Sequence, residues 1–167
     1  MNVILIGMPA SGKSCMGRAL ARELKMKNID TDRVIEQKTG RKLQDIINED
    51  GLDAFKKIEE DILCEVEGNN LIISTGGSAV YYDRAMQHFK KIGTVVYLYA
   101  SLETIVRRLG DFSKRGIALK EGQTIADLYN ERCVLYKKYA DLTINCDGGA
   151  YNKYRDDAVR AIRAFKK

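Results

Sequence analysis

Short apolar runs alternate along the chain with segments whose apolar residues recur every three or four positions. The runs Val3–Ile6, Asn28–Asp30, Leu71–Thr75, Thr94–Tyr99 and Leu142–Asn145 read as strands. Most are near-continuous in Val, Ile and Leu, as strands covered on both faces should be. The longer period predicts helices near 12–25, 33–38, 43–49, 52–67, 83–90, 101–109, 124–139 and 151–166. A β-α-β-α order with strands of this kind predicts an α/β sandwich. No repeat, low-complexity tract or linker interrupts 1–167, so one domain is expected. The stretch 110–123 lacks periodicity, contains Gly110 and Gly122, and carries Lys114 and Arg115. A loop of that length in a compact domain is usually functional or mobile.

Two charged residues interrupt apolar stripes. In the 124–139 pattern, Ile125, Leu128, Tyr129, Leu135, Tyr136 and Tyr139 share a face with Arg132 at its centre. In the 52–67 pattern, the stripe Leu52, Phe55, Ile62, Leu63, Val66 contains Glu59, with Lys56 three residues before it. Buried charges need partners or a polar cavity. For Glu59 the favoured reading is structural, as the partner of a basic residue. For Arg132 it is functional, because a planar guanidinium suits a carboxylate.

Composition narrows the class. A 45% hydrophobic content with a single proline fits a folded core and argues against disorder. The net charge of +5 suits anionic ligands such as nucleotides and small acids, or is simply a soluble basic surface. The basic residues are scattered and no aromatic RNA-binding signature accompanies them, so nucleic acid is not expected as a partner. Cys15, Cys64, Cys133 and Cys146 are far apart, and His88 is the one histidine, so no zinc site is expected. Free thiols in a reducing cytoplasm are the simplest account. No signal or membrane-spanning pattern is present, so a soluble, cytoplasmic protein with no membrane partner is expected.

The most specific signal is Gly7-Met8-Pro9-Ala10-Ser11-Gly12-Lys13-Ser14, which fits G-x-x-x-x-G-K-[ST] in full. A buried strand precedes it and a helical pattern follows, as a phosphate-binding loop requires. Backbone N–H groups of such a loop turn inward on phosphate oxygens, and the helix N-terminus adds its dipole. Lys13 would reach the β and γ oxygens of ATP, and the Ser14 hydroxyl would ligate Mg²⁺. The expected nucleotide-binding residues are Gly7, Ala10, Ser11, Gly12, Lys13, Ser14 and Cys15. No D-x-x-G switch or N-K-x-D guanine reader accompanies the loop, which excludes the GTPases. The run Leu71–Ile73 leads into Ser-Thr-Gly-Gly rather than the acidic pair of the mechanical ATPases. Small kinases with a lid over the phosphates remain. Asn28-Ile29-Asp30-Thr31-Asp32 then places two carboxylates at the end of the second strand, where ligands bind in parallel sheets. Asp32 could equally cap the following helix, and both roles can coexist.

Over essentially its whole length the sequence resembles the shikimate kinases. The matching residues are the phosphate loop, Asp30-Thr31-Asp32, Phe55-Lys56-Lys57-Ile58-Glu59 and Ser74-Thr75-Gly76-Gly77-Ser78-Ala79-Val80. They continue with Arg108, Arg115 and Arg132-x-x-x-Tyr136. The resemblance implies a three-layer α/β/α sandwich like that of nucleoside monophosphate kinases. Its features would be a five-stranded parallel sheet, a mobile lid near 110–123 and an acceptor-binding helical segment near 32–67. It implies Asp30 near Mg²⁺, Asp32 on the acceptor hydroxyl, and Gly76, Gly77 and Ser78 against the substrate. Lys56 and Arg132 would meet the substrate's carboxylate, and Arg108 and Arg115 would reach ATP from the lid region. Three motifs depart from the family pattern. Lys56 replaces an arginine, Ser78 replaces a glycine, and Arg115-Gly116-Ile117 replaces Arg-Pro-Leu.

The expected function is therefore ATP-dependent phosphorylation of a hydroxyl on a small carboxylic acid, shikimate first, by a monomer using Mg²⁺. Lys13, Asp32 and Arg115 would be catalytic. A kinase for gluconate, another polyhydroxy acid or a nucleoside monophosphate is the alternative within the class, and a non-catalytic ATP-binding module the alternative outside it.

Overall fold

Val3–Ile6, four aliphatic residues in a row, form β1 and are fully buried. A strand with no polar face must be covered on both sides, and β1 is the central strand of the sheet. The computed structural model describes residues 1–111, 117 and 119–165. The other strands are β2 (Lys27–Asp30), β3 (Leu71–Ser74), β4 (Thr94–Tyr99) and β5 (Leu142–Asn145). All five are parallel in the order β2-β3-β1-β4-β5. The edge strands β2 and β5 carry the exposed polar positions. The helices are α1 (Lys13–Leu24), α2 (Thr31–Thr39), α3 (Leu43–Asp50), α4 (Leu52–Cys64), α5 (Asp83–Ile92), α6 (Leu102–Leu109), α7 (Ile125–Tyr139) and α8 (Tyr151–Ala164).

Strand side chains alternate between two cores, because successive residues point to opposite faces. Val3, Leu5, Ile72, Val96 and Leu98 pack with Met16 and Leu20 of α1 and with Ala158 and Ile162 of α8. Ile4, Ile6, Ile73, Val95 and Tyr97 pack with Met86 and Phe89 of α5, Ile105 of α6 and Leu128 and Tyr136 of α7. The result is the expected three-layer sandwich. A third, smaller cluster of Ile35, Ile46, Phe55 and Ile62 holds α2, α3 and α4 together beside the sheet.

Two differences from the sequence reading bear on the site. The second helix begins at Thr31, not Arg33, because its cap is Asp30: the Asp30 carboxylate accepts a hydrogen bond from the Asp32 N–H at 3.1 Å. Asp32 is therefore inside the first turn and is not the cap. The fourth helix stops at Cys64, and Val66 reaches the core from the chain that follows. Since all strands are parallel, their carboxyl ends share one edge of the sheet, and the loops after β1, β3 and β5 gather there with the start of α2.

Candidate functional site

The loop after β1 closes around its own lysine. Gly12 has φ of 95°, a conformation that glycine enters without steric cost, and it turns the chain into α1. Lys13 is buried, and its Nζ donates to the carbonyls of Gly7 and Met8 at 2.7 and 2.8 Å. Burial pushes the ammonium down to about 8. The charge of Asp32 partly offsets this, Arg132 adds to it, and Asp30 opposes it. Lys13 thus feels both expected acceptor-site residues. The Ser11 hydroxyl is buried in the same loop with no hydrogen-bond partner among the described residues. Cys15 is exposed at the start of α1, and its carbonyl accepts a hydrogen bond from Tyr151, which ties α8 to the loop.

Next to the loop, Ser14 Oγ donates to Asp30 Oδ2 at 2.8 Å. These are hard oxygen donors beside the phosphate loop. Magnesium prefers such a set, with one or two protein oxygens and the remaining positions left to water and phosphate. Among the described residues no cluster of three or more His, Cys, Asp or Glu could hold a metal by itself. Asp32, mostly buried, has its carboxyl pushed above the usual range, first by burial and then by Asp30, with Lys13 opposing.

The glycine turn after β3 brings the acceptor-side groups together. A methyl group added at Gly76 would lie 3.2 Å from both Asp32 Oδ1 and Glu59 Oε1. One added at Gly77 would lie 2.8 Å from Arg132 Nη1, so only glycine allows the guanidinium this close. Two consecutive residues therefore touch a carboxylate on one side and a guanidinium on the other. Arg132 is 5% exposed at the centre of α7. Tyr136, one turn later, donates to the Gly77 carbonyl at 2.7 Å and pins the turn to the helix.

Glu59 corrects the sequence reading. It is buried, but its hydrogen-bond partners are hydroxyls, and the basic residue Arg132 acts on it only as a nearby charge. Ser78 Oγ donates to it at 2.9 Å and Tyr82 Oη at 2.7 Å. Burial raises the Glu59 carboxyl, while the Tyr82 and Ser78 hydrogen bonds oppose the shift. A carboxyl raised in the folded state holds its proton over a wider range than in the unfolded chain. Stability is therefore expected to fall as pH rises through the window just above the ordinary carboxylate value, and Glu59→Gln should reduce that slope to the part that Asp32 contributes. Glu59→Ala leaves two hydroxyls without an acceptor and should cost about 2–4 kcal/mol. Glu59→Gln keeps an acceptor and should stay within about 1 kcal/mol of wild type at neutral pH. Urea denaturation of the three proteins separates the cases. Equal losses for Gln and Ala would show that the charge itself is needed.

The remaining expected site residues are more peripheral. Arg108 belongs to the last turn of α6, not to the lid loop, and its Nη2 donates to the Cys146 carbonyl at 3.0 Å. That contact places it beside the turn after β5, where Asp147, Gly148, Lys153 and Tyr154 line a cavity of about 220 Å³. Lys56 is exposed on α4, one turn before Glu59. Arg115 lies outside the described residues, as do Lys114 and Gly116. Flanking it, Ile117 and Leu119 pack against the larger core. Tyr81, Tyr82 and Glu131 were not singled out from the sequence. Tyr81 and Tyr82 form a doublet directly after the glycine segment, which is the one signal available for them. Among the described residues no helix is long and apolar enough to cross a membrane.

Comparison with known proteins agrees with this geometry. The Shikimate kinase family model matches residues 9–163. A shikimate kinase of Clostridium botulinum (strain 657 / Type Ba4) is 32% identical over 170 residues, covering 99% of this chain and 96% of its own. One from Persephonella marina is 34% identical over 163 residues, covering 97% and 99%. Among solved structures, shikimate kinase from Acinetobacter baumannii in complex with shikimate superposes with a TM-score of 0.86 at 30% identity. That match covers 99% of this chain and 95% of the other. The Aquifex aeolicus enzyme gives 0.81 at 26%, covering 98% and 96%. With the phosphate loop, the paired aspartates and the guanidinium over the glycine turn in their places, the chain belongs to the shikimate kinase family.

Proposed function

We propose that the chain transfers the γ-phosphoryl group of ATP to a hydroxyl of shikimate, giving shikimate 3-phosphate and ADP. The observation that carries this is the glycine turn itself. Asp32 borders Gly76 and Arg132 borders Gly77, so a proton acceptor and a carboxylate clamp stand one residue apart. A hydroxy acid presents the complementary pair of groups.

The loop of residues 7–14 holds the phosphates, with Lys13 neutralising charge on the γ group. Ser14, with Asp30 behind it, suits Mg²⁺, which when bound supplies further charge neutralisation. Asp32 aligns the acceptor hydroxyl and takes its proton as the oxygen–phosphorus bond forms. Arg132 grips the carboxylate, and the turn of Gly76, Gly77 and Ser78 forms the floor beneath the ring. Arg108 and the turn after β5 flank the nucleotide base. Arg115 completes the charge around the phosphates from a lid near 110–123. The same reading makes 1–167 a single kinase domain, with 32–67 closing over the acceptor, acting as a monomer in the cytoplasm.

A coupled ADP-release assay tests the proposal across shikimate, gluconate and AMP at saturating ATP and Mg²⁺. Shikimate should give the highest kcat/KM. Faster turnover of another acceptor would replace the substrate, and no acceptor-dependent ADP release would remove the kinase.

Lys56 refines the test. An ammonium is a point charge, whereas a guanidinium binds a carboxylate through two parallel hydrogen bonds. Lys56→Arg is expected to lower the shikimate KM by about three- to tenfold. An unchanged KM would show that position 56 does not face the carboxylate.

A further inference from the structure

Tyr81 has an unusual setting. It ends the 3-10 turn Ala79–Tyr81 between the buried residues Val80 and Tyr82, yet it is 39% exposed. Both its ring and its hydroxyl are nevertheless engaged. The Arg132 guanidinium lies over the ring, 5.3 Å from Cζ to the centroid. Arg132 Nε donates to Tyr81 Oη at 3.3 Å, and Oη donates to Glu131 Oε2 at 2.7 Å.

The directions of these bonds follow from the groups. A carboxylate only accepts, so the single phenolic proton points at Glu131 and a lone pair is left for Arg132. Gln123 Nε2 donates to the same Glu131 Oε2 at 3.4 Å, and Lys120 Nζ lies 3.9 Å from Oε1 on the other side of the carboxylate. Its carboxyl is held below the usual range, first by the Tyr81 hydrogen bond. Among the described residues no carboxylate forms an ion pair with Arg132, although the side chain is buried. With Nε committed to Tyr81, the paired donor edge left on the guanidinium is Nη1/Nη2. Of that edge, Nη1 lies against Gly77, and the Tyr136 hydroxyl also interacts with the guanidinium. A two-point grip on a carboxylate needs both Nη groups in the carboxylate plane, and a guanidinium free to swing loses it.

We infer that Tyr81 is a positioning residue for acceptor recognition, fixing the plane of Arg132 while Glu131 anchors the Tyr81 hydroxyl to the stretch entering α7. The inference rests on Arg132 being the carboxylate clamp proposed above. It does not require Tyr81 to touch substrate.

Steady-state kinetics with ATP and shikimate test it in wild type, Tyr81→Phe, Tyr81→Ala, Arg132→Met and the Tyr81→Phe/Arg132→Met double variant. Tyr81→Phe keeps the ring and loses the hydroxyl, and should raise the shikimate KM about three- to tenfold. Tyr81→Ala loses the cation–π contact as well and should raise it further, by about another twofold or more. The ATP KM should stay within about twofold in both, which a general packing defect would not allow. In the Arg132→Met background, Tyr81→Phe should have no further effect, since the two residues act as one unit. An unchanged shikimate KM in Arg132→Met would sink the clamp and the inference with it. A raised KM in Arg132→Met with no change in Tyr81→Phe would leave the clamp standing and overturn the role of Tyr81. So would an equal effect of Tyr81→Phe in both backgrounds.

Discussion

Lys13→Ala is expected to lower kcat/KM for phosphoryl transfer about 10³-fold, or roughly 4 kcal/mol of transition-state stabilisation, while the protein stays folded. The ammonium is buried in the loop that would hold the phosphates, and charge there is screened far less than at the surface. Its present hydrogen bonds go to the carbonyls of Gly7 and Met8. Truncation leaves the buried Gly7 and Met8 carbonyls without this donor, a loss of about 1–3 kcal/mol in stability that urea denaturation separates from the larger catalytic one. The pH profile gives an independent reading. Burial brings Lys13 to about 8 in the free protein, and only the charged form helps. The profile of kcat/KM for ATP should therefore fall on its alkaline side near pH 8. Lys13→Arg, whose guanidinium does not titrate, should lose that limb whatever its absolute rate. Bound phosphates favour the ammonium, so the limb should move to higher pH in kcat. Transfer within tenfold of wild type in Lys13→Ala would contradict the phosphate-site assignment.

Asp32→Asn carries the second large effect. The amide keeps the shape but cannot accept the acceptor's proton, and kcat should fall by about 10²–10³ with little change in shikimate KM. Burial and the neighbouring Asp30 raise the Asp32 carboxyl, so the acid limb of kcat/KM should lie above the ordinary aspartate range. Asp30→Asn removes a like charge and should move that limb to lower pH, an effect separate from any loss of rate at the Mg²⁺ site. In Asp32→Asn the limb should vanish. A rate within threefold of wild type would show that Asp32 only orients the hydroxyl.

The phosphate site was readable because its physics constrains sequence tightly. A backbone that wraps an anion needs glycines at fixed spacing, a cation at one place and a buried strand in front of it. The central strands were equally legible, since burial on both faces leaves no room for polar residues. The capping of α2 was not. Asp30 and Asp32 are both competent caps, and the choice depends on where β2 stops, at the extended Asp30. Glu59 announced itself as a buried charge, but its partners Ser78 and Tyr82 are 19 and 23 residues away. Periodicity along one helix carries no information about such contacts. Tyr81 belongs to a three-residue turn that is too short to show a pattern, and its role emerges only when α7 is laid across that turn.

Phosphorus NMR of the wild-type protein with ATP, Mg²⁺ and shikimate tests the central claim most directly, because it identifies the product rather than the loss of ATP. The γ resonance should disappear as ADP and a single phosphomonoester of shikimate appear in equal amounts. Ester formation should be absent without shikimate and suppressed in Lys13→Ala. Conversion of ATP to ADP and inorganic phosphate alone, or no conversion with shikimate present, would contradict the account.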